Sequence, residues 1–168
     1  MTGPLTGADF AAPIDDRYLE DYEPGAVYTY GRIELDEASI IAFARQYDPQ
    51  PFHTDPAAAA GSIYGGLIAS GWQTVAVTMR MLVDHVISPA SSLGSPGCDE
   101  LRWLKPVRPG DSLAVRIEVL SNRRSRSKPD RGLVSNQLEV LNQRDEVVMT
   151  IKTVLLLKAR HPEPATGE

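Results

Sequence analysis

The sequence predicts an α+β domain in which a curved antiparallel sheet wraps around one long helix. Residues 65–88 have the spacing of a helix that is apolar on nearly every side, which is typical of a buried helix. Four stretches with the pattern of strands follow this helix and one precedes it. An antiparallel sheet must bury one face, and the helix needs cover around most of its circumference. A sheet curved around the helix meets both needs, and this is the hotdog arrangement.

The chain before the long helix contains one strand and one amphipathic helix. Residues 26–33 alternate in polarity and are rich in β-branched and aromatic side chains, which predicts a strand. Residues 35–47 have helical spacing, with Asp36 as the N-cap. We expect this helix to end at Asp48, because the residue before a proline is pushed out of the α region.

A short helix and the long helix come next. Asp55 as N-cap, Pro56 at the first helical position and Gly61 as the stop predict a short helix over residues 55–61. In the long helix, apolar residues recur on one stripe at Val75, Met79, Leu82 and Val86. Other apolar residues spread over most of its remaining surface.

The pattern changes to that of strands in the second half of the chain. The predicted strands are residues 101–107, 111–120, 132–141 and 146–158. The clearest is 111–120, in which Leu113, Val115, Ile117 and Val119 alternate with Ala114, Arg116 and Glu118. Residues 108–111 and 142–146 are predicted turns, and the basic stretch 121–132 is a predicted hairpin end.

Length and composition point to one intracellular domain. The 168 residues suit a single domain, for which we expect residues 25–158, with an N-terminal arm (1–24) and a flexible tail (159–168). Cys98 is the only cysteine, so no internal disulfide exists and a reducing compartment is expected. The first residues lack a basic leader region, and no stretch is apolar enough to span a bilayer. We therefore expect a cytoplasmic protein that does not bind a membrane.

The stretch "YDPQPFHTDP" (47–56) carries the candidate catalytic residues. Pro49 and Pro51 stiffen the backbone around Asp48 and His53. A carboxylate can hold a water or take its proton, and an imidazole can accept or donate a proton near neutral pH. Together they suit the addition of water to an activated double bond. An aspartate that caps a turn, paired with a surface histidine, is the structural alternative.

We expect no metal or other cofactor. His53 and Asp55 form a His-x-Asp step, but a metal site needs three or four convergent ligands. The other two histidines are His85, at the far end of the long helix, and His161, in the tail. Asp55 is better explained as a helix cap.

At this point the motifs resemble a known family, the MaoC-like acyl dehydratases, which include the (R)-specific enoyl-CoA hydratases. The resemblance rests on "YDPQPFHTDP", "YGGLIASGWQT" and "LRWLKPVRPGD" and covers roughly residues 25–158. The hydratase motif Asp-x-x-Pro-x-His appears as Asp48, Pro51 and His53. Tyr47 and Gln50 depart from the glycine and asparagine that family members often have, which leaves the acid–base pair intact.

The resemblance implies that Asp48 and His53 hydrate a trans-2-enoyl-CoA to an (R)-3-hydroxyacyl-CoA. It also implies that the backbone N–H of Gly66 donates to the substrate thioester, and that Thr74 stands where hydratases often have a serine. Gly65 and Gly66 are predicted to open the long helix, where unpaired N–H groups and the positive end of the helix favour an oxyanion. A tight Gly-Gly turn is the alternative.

Other residues of this half have weaker assignments. Ser70 and Thr74 lie one helical turn apart, and each either donates to the substrate or bonds back to its own helix. Trp72 fits an acyl tunnel, a core or a dimer contact. The basic run suits either the phosphates of CoA or a solvated hairpin tip, and consists of Arg123, Arg124, Arg126, Lys128 and Arg131.

Three functions are compatible with a hotdog domain. The first is the hydratase. The second is an acyl-CoA thioesterase, whose acidic catalyst would have to be Asp84, the only acid on the predicted long helix. The third is a non-catalytic acyl-CoA binding module. The net charge of −5 argues against nucleic acid as a partner. Because hotdog proteins usually pair and a sheet edge needs cover, we expect a homodimer.

Overall fold

The structure is a computed structural model in which residues 5–161 are described. Its strands form one sheet with the order β1-β2-β4-β5-β6-β3, and every neighbouring pair is antiparallel. The strands are β1 (Thr6–Gly7), β2 (Val27–Leu35), β3 (Gly97–Trp103), β4 (Asp111–Arg124), β5 (Arg131–Leu141) and β6 (Val147–Lys158). The five longer strands were predicted, although β3 begins and ends about four residues earlier than expected.

Four α-helices stand between β2 and β3. They are α1 (Glu37–Tyr47), α2 (Pro51–Thr54), α3 (Pro56–Ala60) and α4 (Gly71–His85). The Asp36 side chain accepts from Ser39 N–H at 2.7 Å and caps α1 as predicted. Asp55 caps α3 by accepting from two backbone N–H groups, which confirms its predicted role.

The core lies between one face of the sheet and α4. On β4, the alternating residues Leu113, Val115, Ile117 and Val119 are all buried. Arg116 and Glu118 face solvent. On α4, Met81 and Leu82 are buried against this face. Such a curved antiparallel sheet around a helix is the predicted hotdog fold.

The long helix begins later than the sequence predicts. Gly65 and Gly66 do not open α4, because Gly65 has a φ of 63° and the chain stays non-helical to Ser70. Backbone bonds to the neighbouring segments hold this stretch, since Ile68 N–H donates to the Phe52 carbonyl at 3.2 Å. Ser70 has the extended backbone and the side-chain acceptor of an N-cap. The helix therefore starts at Gly71.

One side of α4 is open in the single chain. Trp72, Met79 and Val83 are each about half exposed, at 58%, 48% and 50%. The opposite side is packed, so the expectation of a helix buried all round holds for only part of its circumference. β3 lies at an edge of the sheet next to this open side and is also mostly exposed.

Much of the predicted N-terminal arm packs onto the domain. Leu19 and Tyr22 are fully buried, and Arg17 is only 3% exposed. At the other terminus, Arg160 donates to Asp16 and Asp21, which ties the start of the predicted tail to this segment. Residues 1–4 and 162–168 of the two predicted terminal segments lie outside the described residues.

Candidate functional site

A cleft of about 570 Å³ opens beside the start of α4. Its walls come from residues 48–53, from residues 64–74 and from the segment that follows β3. Nine of the sixteen lining residues have apolar side chains. The polar residues that line it are Asp48, Gln50, His53, Tyr64, Thr74 and Lys105. The cleft thus brings together both predicted catalytic residues and Thr74.

Asp48 ends α1 and is held by hydrogen bonds to both carboxylate oxygens. Gln50 Nε2 donates to Oδ1 and Ser70 Oγ donates to Oδ2, each at 2.7 Å. Burial acts to raise the pKa of Asp48, but the hydrogen bonds from Ser70 and Gln50 and the nearby His53 outweigh it, so the pKa lies below its ordinary value. The side chain is therefore a fixed carboxylate at neutral pH.

His53 is buried, with 5% of its surface exposed. Its Nδ1 lies 2.8 Å from the carbonyl oxygen of Ile68. Because a carbonyl only accepts, this nitrogen carries a proton in either charge state of the ring. Nε2 lies 3.3 Å from Asp48 Oδ2. It is thus the nitrogen that gains or loses the proton, and it faces the carboxylate.

The two prolines explain this geometry. Pro49 follows Asp48 and ends α1, and Pro51 occupies the first position of α2. Sequence reasoning predicted a stiff loop here, whereas the structure has one helical turn. That turn aims His53 back toward Asp48.

Ser70 and Thr74 differ in their contacts. The Ser70 hydroxyl accepts from Trp72 N–H at 3.2 Å, which caps its own helix, and it donates to Asp48. Thr74 is 2% exposed, and no protein atom of the described residues forms a hydrogen bond with its hydroxyl. One turn later, Thr78 Oγ1 donates back to the Thr74 carbonyl at 2.8 Å. The Thr74 hydroxyl is therefore left for the cleft.

The glycine at the helix start is Gly71, which sequence reasoning missed. Gly71 lines the cleft, and its N–H has no hydrogen-bond acceptor among residues 5–161. Gly65 and Gly66 are not among the lining residues, and Gly66 lies against the guanidinium of Arg108. The signal that would have found Gly71 is the serine just before it, since Ser followed by a helical pattern marks an N-cap.

The cleft also has an aromatic rim that the sequence did not reveal. Trp72 and Trp103 meet edge to face, with ring centroids 5.5 Å apart, and both line the cleft. Lys105 lines it as well and pairs with Glu146 at 2.7 Å. Trp103 comes from β3, more than 30 residues away in sequence, so no local pattern predicts this contact.

The basic run lies far from the cleft in the single chain. It surrounds the turn between β4 and β5, at the opposite end of β4 from the cleft segment. Arg124 pairs there with Glu20, and Arg131 with Asp130. These contacts fit a hairpin tip and give no support to a role in the cleft.

The described part of the chain has neither a metal-binding cluster nor a membrane-spanning helix. Within residues 5–161, no three histidine, cysteine, aspartate or glutamate side chains converge as they would around a metal ion. Over the same residues, no helix has the length and apolar character needed to cross a bilayer.

Comparison with known proteins identifies the family. The MaoC like domain matches residues 21–141. Protein MaoC of Klebsiella aerogenes is 33% identical over 102 residues, which are 60% of this chain but only 30% of that protein. A MaoC-like dehydratase from Rhodospirillum rubrum, known from its crystal structure, is 42% identical with a TM-score of 0.80, over 86% of this chain and 99% of that one. An unliganded (R)-hydratase from Pseudomonas aeruginosa shares the fold, at 24% identity and a TM-score of 0.65, over 89% and 96% of the two chains. The chain belongs to the MaoC-like dehydratase family.

Proposed function

We propose that this protein reversibly hydrates a trans-2-enoyl-CoA to a (R)-3-hydroxyacyl-CoA in the cleft. The observation that carries the proposal is the pair formed by Asp48 Oδ2 and His53 Nε2, 3.3 Å apart at the cleft wall. Family membership supports the reaction class. The CoA thioester and the (R) configuration rest on the resemblance to (R)-specific hydratases.

The two residues divide the work. His53 Nε2 is the proton-exchanging atom, because Nδ1 is committed to the Ile68 carbonyl. Asp48 is a weak base, since its pKa is lowered, so it orients the water and stabilises the imidazolium ion rather than taking the proton. A water that bridges Oδ2 and Nε2 satisfies both groups.

The proton that leaves the water reaches C2 of the substrate through His53, so the reaction balances. As the water oxygen bonds to C3, one of its protons passes to Nε2 and the double-bond electrons move toward the thioester oxygen. The resulting enolate takes a proton at C2 from the imidazolium, which restores neutral His53. Dehydration is the reverse path.

The thioester oxygen needs a hydrogen-bond donor while it carries negative charge. We assign this donor to the N–H of Gly71 in place of Gly66, because Gly71 both lines the cleft and begins a 15-residue helix. The positive end of the helix adds to the N–H. Removing one such donor typically costs about 10²–10³-fold in rate. Thr74 is a side-chain donor that is available to the substrate.

We also propose a homodimer. The open side of α4, with Trp72, Met79 and Val83, is an apolar face on a helix that otherwise packs into the core. The neighbouring edge strand β3 has backbone groups available for pairing. Because Trp72 and Trp103 belong both to this face and to the cleft, a second copy would complete the cleft wall.

A hotdog thioesterase is the alternative, and its acid would be Asp84. This residue lies at the end of α4 away from the cleft and pairs with Arg80 at 2.8 Å. A carboxylate held there does not reach a thioester bound at the helix start. The non-catalytic binding module differs from the hydratase only in activity.

The test is a screen of trans-2-enoyl-CoA thioesters of several chain lengths, followed by the loss of absorbance of the conjugated double bond. Wild type should consume at least one of them, and Asp84→Asn should do so at the same rate. A thiol reagent in parallel detects free CoA. Sustained CoA release that survives Asp48→Asn and disappears in Asp84→Asn would favour the thioesterase, and no change of any substrate would favour the binding module.

A further inference from the structure

Trp103 lies against the first residue of α4. Its Nε1 donates to the Gly71 carbonyl oxygen at 3.0 Å. Its ring also fills the space that a side chain at position 71 would need, because a Cβ built there would lie 2.4 Å from Cε2 and 2.9 Å from Cδ2 of the indole. The end of the edge strand and the start of the helix therefore meet at Gly71.

This contact explains why position 71 is a glycine. Gly71 has helical backbone and is not among the glycines with positive φ, so other residues could adopt its conformation. The space is what excludes them. Because a glycine has no Cβ, its own side chain does little to restrict the φ and ψ angles that orient the neighbouring peptide groups. The indole supplies the restraint from outside, since the ring blocks one side of Gly71 and the N–H holds its carbonyl.

Trp103 is itself well anchored. Its backbone pairs with Met149 of β6, whose side chain is fully buried. Trp72 supports the ring by the edge-to-face contact described above. The sheet thus holds the backbone of Trp103, a residue that is 47% exposed, and the ring is held by its contacts with Trp72 and Gly71.

We propose that Trp103 is a positioning residue that holds the Gly71 N–H toward the thioester oxygen. The inference rests on the proposed function, because it assumes that a thioester oxygen binds at the helix start. Donors contribute most when they do not have to reorient during the reaction. A misplacement of about 1 Å can cost about 100-fold in rate.

Two substitutions separate the parts of the contact. Trp103→Phe keeps an aromatic ring but removes the indole N–H, and Trp103→Ala removes both. We expect kcat to fall about ten-fold in the first and about 100-fold in the second, with a smaller change in KM. Arg102→Ala is the matched control, because Arg102 is the neighbour on β3 and, among residues 5–161, its side chain bonds only the Leu101 carbonyl of its own strand. It should retain wild-type kcat.

A spectroscopic measurement reports the thioester oxygen directly. A conjugated dienoyl-CoA bound to the Asp48→Asn protein should absorb at longer wavelength than in water, because a donor at the carbonyl polarises the chromophore. Adding Trp103→Phe or Trp103→Ala should reduce this shift, and adding Arg102→Ala should not. A lower kcat with an unchanged shift would assign Trp103 to packing alone and overturn the proposal, as would unchanged kcat in both tryptophan variants.

The Gly71–Trp103 contact can be judged even if no thioester is turned over. Gly71→Ala should lower the unfolding midpoint in the wild-type background and lower it much less in the Trp103→Ala background, since the clash is then gone. An equal fall in the unfolding midpoint in the two backgrounds would show that Trp103 does not restrict position 71. Failure of wild type to hydrate any enoyl thioester would instead refute the proposed function.

Discussion

The two ends of α4 differ in whether their free backbone groups have hydrogen-bond partners. At the C-terminal end, the Arg17 guanidinium donates to the carbonyls of His85 and Val86 at 2.7 and 3.2 Å, and the Tyr22 hydroxyl donates to Val86 at 2.6 Å. At the N-terminal end, Ser70 caps Trp72 N–H, while Gly71, which lines the cleft, has an N–H without an acceptor among the described residues.

This difference separates structure from chemistry within one helix. Helix ends normally need partners for their free N–H and C=O groups. The arm provides them at one end, where the Val86 carbonyl is buried and the His85 carbonyl is partly buried. At the other end, the Ser70 and Gln50 side chains donate to Asp48, and the Gly71 N–H has no partner among the described residues. We therefore expect changes at the C-terminal end to lower stability and changes at the N-terminal end to lower activity.

The largest effect should come from the proposed catalytic pair, Asp48 and His53. Asp48→Asn and His53→Ala should each lower kcat by about 10²–10⁴-fold, because each removes a group that handles or orients the water. Far-UV circular dichroism should show an intact fold. If either variant keeps near-normal turnover on the best substrate, that residue has been assigned the wrong role.

The opposite result is expected for Arg17→Met. The carbonyls of Ala12, His85 and Val86 lose a charged donor, so the free energy of unfolding should fall by about 3 kcal/mol, while kcat per folded molecule stays the same. Chemical denaturation measures the first and enzyme assays below the unfolding transition measure the second. Arg123→Met, at the exposed hairpin, is the control and should change neither. A loss of kcat without a loss of stability in Arg17→Met would contradict the expected difference between the two ends of α4.

Ser70→Ala should affect both properties moderately. It removes a cap, which costs about 1 kcal/mol of stability, and it removes one of the hydrogen bonds that lower the Asp48 pKa. The working carboxylate exists above its pKa and is lost as pH falls through it, so the acid limb of kcat/KM should move to higher pH in the variant. Ser39→Ala, which removes a hydroxyl at the start of α1, should leave the limb in place. An unmoved limb in Ser70→Ala would show that this hydroxyl does not govern Asp48.

The smallest effect should distinguish two threonines of the same helix. Thr74→Val removes the open hydroxyl and should lower kcat/KM about ten-fold, the value of one hydrogen bond. Thr78→Val removes a hydroxyl that bonds its own helix and should leave kcat/KM unchanged. Similar behaviour of the two variants would remove Thr74 from the substrate site.

The sequence predicted the elements well where local chemistry determines them. Asp36 and Asp55 cap their helices, and Asp48 ends α1, because caps and prolines act over a few residues. The start of α4 was misplaced because the pair Gly65-Gly66 and the apolar run after it resemble a helix start. The buried extended stretch that follows is held by contacts with Phe52 and Val107, which are distant in sequence.

The same distinction holds for the site. Asp48 and His53 are close in sequence and carry a recognisable motif, so their proximity was predictable, while their catalytic role stays a prediction. Ser70 was expected to face substrate or its own helix, and its bond to Asp48 arises only when α4 packs beside α1. The approach of Trp103 to Gly71 depends on the register of β3, and no local signal encodes it.

Incorporation of ¹⁸O from labelled water tests directly whether the protein adds water to C3 of an enoyl thioester with the help of Asp48. The protein is incubated with its best trans-2-enoyl-CoA in H₂¹⁸O, and the products are separated and their masses are measured by mass spectrometry. We expect one ¹⁸O on C3 of an intact hydroxyacyl-CoA, with incorporation reduced at least about 100-fold in Asp48→Asn. Label in a free carboxylic acid released together with CoA, or equal labelling of C3 in the Asp48→Asn protein, would contradict it.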